Sequence, residues 1–281
     1  MDNYRIRTAQ LSHMDFLIRQ AHNEGWNPGL SDGEAFYRAD PGGFFIGELS
    51  GKAIACISAV RYGDFGFIGL YIVKEEYRGK GYGILLWRHA MEYLKGCKIG
   101  LDGVVDRQDD YKKWGFVLAH RNMRFAAPAT VFPVPKENPG VISINDVEFS
   151  SLVAYDRLHF PEDRTDFLYA WLNMPSARSL AYVDNGQIQG LATIRECYEG
   201  YKVGPLFASE PEIAHILLSK LACFADGKIL YLDIPADNVK AQELTASYDM
   251  KFVFETARMY RGNSAPINQD SIYGITTFEL G

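Results

Sequence analysis

Polar and apolar residues alternate over residues 4–7, the period of a half-buried strand. Phe16, Leu17, Ile18 and Ala21 then recur at helical spacing behind Ser12, a residue type that caps helices. That run breaks at Glu24-Gly25-Trp26-Asn27-Pro28-Gly29. Asp32 is placed to cap a second helix over residues 33–38. Two apolar runs, 44–49 and 53–61, flank the tight turn Ser50-Gly51-Lys52 and predict a hairpin. A strand over 67–73 follows. Residues 84–94 carry a helical pattern, 98–105 read as a strand, 109–114 as a short helix stopped by Gly115, and 116–126 as the last strands of this half.

The pattern then changes. Residues 127–140 hold four prolines, which fix φ and remove ladder donors, so the stretch is expected to be neither helix nor central strand. A domain boundary is expected here, with one domain over 1–127, a linker over 128–140 and a second domain over 141–281. The second half echoes the first in order. A hairpin turns at Asn185-Gly186; Val203-Gly204-Pro205-Leu206-Phe207 stands where Ile68-Gly69-Leu70-Tyr71-Ile72 stood. Residues 228–233 match 98–102, and Met250-Lys251-Phe252 matches Trp114-Gly115-Phe116. One order throughout points to a duplicated unit.

Composition adds limits. The 281 residues are 47% hydrophobic and 14% aromatic, enough for a sizeable core, and the net charge of −6 argues against a nucleic-acid footprint. The four cysteines are widely spaced, which reads as buried free thiols in a reducing compartment. The first residues show no secretory apolar core, and no apolar run is long enough to span a bilayer. A cytoplasmic protein without nucleic-acid or membrane partners is expected.

The chemistry concentrates at Tyr77-Arg78-Gly79-Lys80-Gly81-Tyr82-Gly83, between the 67–73 strand and the 84–94 helix. A helix N-terminus offers unpaired amides and a favourable dipole to an anion, and glycines let backbone approach a phosphate closely. The spacing fits neither a Walker A loop nor a dinucleotide-binding G-x-G-x-x-G. It closely resembles the acyl-CoA-binding signature of the GNAT acyltransferases. That resemblance implies two α/β GNAT-like domains, each a mixed, mostly antiparallel twisted sheet flanked by helices, the second degenerate because Ala208-Ser209-Glu210-Pro211 stands where a glycine loop would be. It implies acetyl-CoA as donor, with no metal. It places the pyrophosphate on Arg78, Gly79, Lys80, Gly81, Tyr82 and Gly83, and the pantetheine on Tyr71, Ile72 and Val73.

Tyr111-Lys112-Lys113-Trp114-Gly115-Phe116 resembles the family's Tyr-x-x-x-Gly-Phe stretch, which makes Tyr111 both a cofactor contact and the candidate acid for the departing thiolate. No Asn precedes it at the family's position, so amide contacts to pantetheine do not carry over. An attacking ammonium must lose a proton, and Glu24 and Asp102 are the candidate bases. Trp26 and Asn27, with Arg195, Tyr198 and Tyr201 of the second half, are the candidate acceptor contacts; Arg164 is a further cation there. The expected reaction is N-acetylation of a small-molecule amine by direct attack. The alternatives are a peptide acceptor and a non-catalytic acyl-CoA sensor.

Overall fold

The computed structural model describes residues 3–160, 162–262, 267 and 269–281. The first half runs β1 (Tyr4–Thr8), α1 (Met14–Asn23), α2 (Asp32–Ala39), β2 (Phe44–Leu49), β3 (Lys52–Tyr62), β4 (Phe65–Val73), α3 (Tyr82–Tyr93), β5 (Lys98–Val104), α4 (Gln108–Lys112) and β6 (Val117–Pro128). The second repeats it as β7 (Val141–Ser143), α5 (Phe149–Asp156), α6 (Thr165–Leu172), β8 (Ala177–Asp184), β9 (Gln187–Glu196), β10 (Tyr201–Ala208), α7 (Pro211–Ala222), β11 (Ile229–Pro235), α8 (Val239–Ser247) and β12 (Lys251–Arg261), and adds β13 (Ile272–Gly274). The expected elements are present, with ends displaced by a few residues. Both hairpins turn through paired left-handed residues, Ser50-Gly51 and Asn185-Gly186, at φ of 50° and 78° and of 49° and 74°. Ala127 and Pro128 close β6 against Leu230 and Ile229 rather than opening a linker, and Ala129–Val131 makes one 3₁₀ turn.

Strand order is β1-β2-β3-β4-β5-β12-β6-β11-β10-β9-β8-β7, one continuous sheet. It is mixed and mostly antiparallel: β4 with β5 and β10 with β11 are its parallel pairs among the described residues. The order reads the same from either end once six is added to β1–β6 and subtracted from β7–β12, so the halves are related as by a two-fold. The sixth strand of each half, however, lies beside the fifth of the other. β12 enters between β5 and β6, and β6 lies between β12 and β11. β3 is buried on both faces, which suits its run of Ala, Ser, Cys and Ile. Helices of the two halves also meet: Phe36 of α2 stacks on Trp171 of α6 at 5.9 Å.

The two parallel pairs both splay. β4 and β5 pair from Phe65–Lys98 to Ile68–Leu101 and then separate, helped by a bulge at Leu70, whose φ is 47°. β10 and β11 pair only from Tyr201–Leu230 to Val203–Leu232. Beyond that point the second gap is filled by the chain itself. Gly274 lies opposite Leu206, and the Ile275 amide donates to the Asp233 carbonyl at 2.8 Å. A Cβ on Gly204 would stand 2.5 Å from the Ile275 carbonyl oxygen. The last residues then cross to the first half, where a Cβ on Gly69 would meet the Glu279 carbonyl oxygen at 2.1 Å. No described helix is long and apolar enough to cross a membrane.

Candidate active site

The open splay between β4 and β5 continues into a cleft of about 1210 Å³ that reaches the start of α3. Gly81 caps that helix in the left-handed region, φ 84°, with no described side chain serving as cap, so the helix start that lines the cleft mouth keeps the free first amides of a helix N-terminus among the described residues. Gly79 is also left-handed, φ 73°. Gly83 serves packing: a Cβ there would lie 2.7 Å from the Tyr71 hydroxyl, so glycine lets α3 seat on β4. Arg78 Nε donates to the Val73 carbonyl at 2.8 Å, turning the guanidinium across the loop. Lys80 behaves differently: its ammonium turns back to the Glu76 carbonyl at 2.7 Å, and the residue stands outside the lining. The resulting arrangement is a positive loop at the mouth, apolar strand edges inside, and room for an extended ligand between them. An acyl-CoA's phosphates and thioester arm have that shape and polarity.

Tyr111 lies against the opposite wall. Its ring packs on the Gly103 backbone, where a Cβ would clash at 2.5 Å, and its centroid is 5.5 Å from that of Trp87. Burial pushes its hydroxyl up to about 12, so it keeps its proton at neutral pH. Tyr71, on the facing strand, is raised by burial to about 12 as well.

The two candidate bases are both already paired. Glu24, at the end of α1, accepts from Arg78 and ties the helix break to the glycine loop. Asp102 accepts from Arg258 Nε at 2.9 Å and Nη2 at 2.6 Å, and from the Asn122 amide at 2.8 Å. These donors occupy most of its lone pairs.

Of the expected acceptor contacts, Trp26 lines the cleft; Asn27, Arg195, Tyr198 and Tyr201 do not. Asn27 clamps the second half: its amide donates to the Glu199 carbonyl and its carbonyl accepts from the Glu199 amide, at 2.8 and 2.9 Å. Arg195 is buried against Asp32 at 2.8 Å, Tyr198 stacks on His22, and Tyr201 lies under Lys228. Arg164 is likewise buried, on Asp156. The second half instead reaches the cleft through the bulged start of β12, Phe252 to Thr256, and through Phe278 and Glu279. Sequence reading passes over these because nothing local says that β12 sits beside β5. The cysteines are all free; Cys56 and Cys197 are buried, Cys97 is half-buried and Cys223 exposed, and none lines the cleft.

A model of the acetyltransferase (GNAT) family matches residues 11–116, and one of the acetyltransferase (GNAT) domain matches residues 152–274. The chain belongs to the GNAT acetyltransferases. Its two halves are tandem GNAT units, and the chain is an acyltransferase. The holothin acyltransferase of Pseudoalteromonas sp. (strain SANK 73390) is 27% identical, over 100% of this chain and 99% of that one. The uncharacterised N-acetyltransferase YitH of Bacillus subtilis (strain 168) is 24% identical over 96% and 95%. Among solved structures, a candidate acetyltransferase from Pyrococcus horikoshii superposes with a TM-score of 0.84 at 25% identity, covering 100% and 97%. A tandem GNAT protein of the clavulanic acid biosynthesis pathway gives 0.64 at 13% identity, covering 94% and 100%, which shows the shared fold. In GNAT terms, one of the two splayed grooves in this chain is open and the other is closed by its own residues 272–276.

Proposed function

We propose that this GNAT acyltransferase moves an acetyl group from acetyl-CoA to a primary amine of a small molecule by direct attack. The observation that carries this reading is the open β4–β5 splay, which runs from the left-handed Gly81 cap past Tyr111 to a pocket walled by both halves. The donor supplies the activated acyl group; the protein binds, orients and moves protons. The unpaired amides of α3, with Arg78, Gly79, Gly81, Tyr82 and Gly83, hold the pyrophosphate, and Lys80 adds charge outside the lining. The edges of Tyr71, Ile72 and Val73, left without a β5 partner, pair with the pantetheine arm. Tyr111 gives its proton to the departing sulfur. Glu24 sets Arg78 in place, and Asp102 holds Arg258; both serve as positioning residues because each is already paired with a guanidinium.

A small acceptor is favoured over a peptide, because β12 and the chain's last residues close the far wall where an extended strand would have to lie. The reading is tested by thiol release from acetyl-CoA over a panel of small amines and short peptides. Turnover on a small amine, abolished in Gly81→Glu, is expected. Turnover confined to peptides overturns the acceptor assignment.

A further inference from the structure

We infer that Glu279 is the acceptor anchor: its carboxylate binds the primary ammonium of an amine carried on a flat apolar body, and takes the proton that nitrogen must lose. This rests on the acyl-transfer reading above and names its substrate class.

The first argument is an inventory of acid groups around the cleft. Glu24 pairs with Arg78, Asp102 with Arg258, Asp110 with Lys113 at 2.8 Å, and Glu255 with Arg121 at 2.9 Å. Asp106 is exposed at the rim. Glu279 differs. It is 4% exposed and lines the cleft, and among the described residues its carboxylate is held by a neutral donor, the Thr277 hydroxyl. Arg124 and Arg195 act on it only through space: Arg124 grips Asp233 with two nitrogens, and Arg195 gives its Nε to Asp32, with no hydrogen bond from either to Glu279 among the described residues. A buried carboxylate without its own cation is costly, and a bound ammonium is the partner that relieves it.

The second argument is position. The main chain of Glu279 packs against Gly69, the residue of β4 just past its last pairing with β5. That is the vertex of the splay, where an acyl group held between the strands would end. The third is the surrounding wall. Phe254 and Phe278 line the cleft with centroids 5.9 Å apart, and the Arg124 guanidinium backs their rings at 4.7 and 5.1 Å. Arg124 also donates to the Trp26 carbonyl at 2.7 Å, fixing a third aromatic wall. Two aromatic faces and an indole beside one carboxylate suit a planar apolar amine.

The step balances as follows. Glu279 takes one proton from the ammonium and later releases it to solvent. The freed nitrogen lone pair forms the N–C bond to the acyl carbon as the C–S bond breaks. The sulfur leaves with that electron pair and receives the Tyr111 proton, and the second proton shed by nitrogen restores Tyr111.

The test is calorimetric titration of benzylammonium into protein saturated with CoA, with benzyl alcohol as the uncharged probe. The unmodified protein is expected to bind benzylammonium more tightly than benzyl alcohol. Glu279→Gln is expected to weaken benzylammonium about tenfold or more, to leave benzyl alcohol unchanged, and to keep the rise in melting temperature that acetyl-CoA produces. Equal benzylammonium affinity in both proteins, or no preference for the charged probe, overturns the assignment. Loss of the acetyl-CoA shift in Glu279→Gln also overturns it, by making the residue structural. If that variant fails to fold, Thr277→Val keeps the charge but frees it, and an unchanged benzylammonium affinity there is equally fatal. Failure of acetyl-CoA to stabilise the unmodified protein is a separate result that removes the donor site, and this anchor with it.

Discussion

Arg258 on β12 lies directly across the ladder from Asp102 on β5 and grips it with two hydrogen bonds, at 2.9 and 2.6 Å. Its two-fold mate is Arg124 on β6, directly across from Asp233 on β11, at 2.6 and 2.7 Å. Each pair joins the fifth strand of one half to the sixth strand of the other. The exchanged strands are therefore pinned by matching buried ion pairs, in addition to their backbone ladders. Breaking a buried pair from one side strands a charge and costs about 3–5 kcal/mol. Asp102→Asn and Asp233→Asn are each expected to lose that much in urea unfolding at neutral pH, and a loss under about 1 kcal/mol would show that the pairs do not lock the exchange.

Asp233 also predicts a pH window. Burial pushes its carboxyl up, but the Arg124 charge and hydrogen bonds, with Lys202 and Arg195, outweigh burial and hold it below the ordinary value. A carboxyl depressed in the folded state stabilises fully above its unfolded value, about 3.9, and loses that contribution as pH falls through the lower folded value. The stability difference between the unmodified protein and Asp233→Asn is therefore expected to hold from pH 7 to about 5 and to shrink below about 4. A difference that fades between pH 7 and 5 would contradict the sign.

Tyr111 separates donor binding from chemistry. Tyr111→Phe keeps the ring against Gly103 and Trp87 and removes one proton. Turnover is expected to fall roughly 10²- to 10⁴-fold, with acetyl-CoA affinity unchanged. Since burial raises the hydroxyl to about 12, the rate of the unmodified enzyme should show no basic limb from this residue below about pH 11. A basic limb near pH 9 that vanishes in Tyr111→Phe would refute that protonation state.

Gly81 tests the loop. Its left-handed φ of 84° disfavours any side chain by about 1–2 kcal/mol, and a carboxylate there opposes the amide field of α3. Gly81→Glu is expected to lose the acetyl-CoA-induced rise in melting temperature while remaining folded by circular dichroism. A retained shift would place the phosphates elsewhere.

Much of this was legible in the sequence because its signals are local. Asn185-Gly186 dictates its own turn, and three glycines at a helix start have few structural uses. What was hidden is non-local. Periodicity tells which faces of a strand are buried, not which strand lies beside it, so β12 beside β5 could not be read. Asn27 and Arg195 looked like ligand contacts because they are polar near an expected cleft; their partners, Glu199 and Asp32, lie 172 and 163 residues away. One signal was available. Asp102 and Asp233 recur at matching places in the two halves, as do Arg124 and Arg258. Repeated charges of opposite sign at matching places point to each other.

Gly69 decides whether the chain's last residues build the acceptor wall. Its φ lies outside the left-handed region, so alanine there strains no backbone; the difficulty is the Glu279 carbonyl oxygen, 2.1 Å from the new methyl, with the Glu279 carbonyl carbon at 2.9 Å. Backbone on both sides leaves no flexible tip to yield, so the segment around Glu279 must move away from β4, at an overpacking cost of about 1–3 kcal/mol. The edge at Tyr71 to Val73, proposed above to pair with the pantetheine arm, lies beyond the contact. Gly69→Ala is therefore expected to keep the acetyl-CoA-induced melting shift while amine turnover falls about tenfold or more, with faster proteolysis of the last residues. Unchanged turnover would mean that the wall at Glu279 does not position the acceptor, whereas joint loss of the melting shift and turnover would place the acyl arm, not the acceptor, against Gly69.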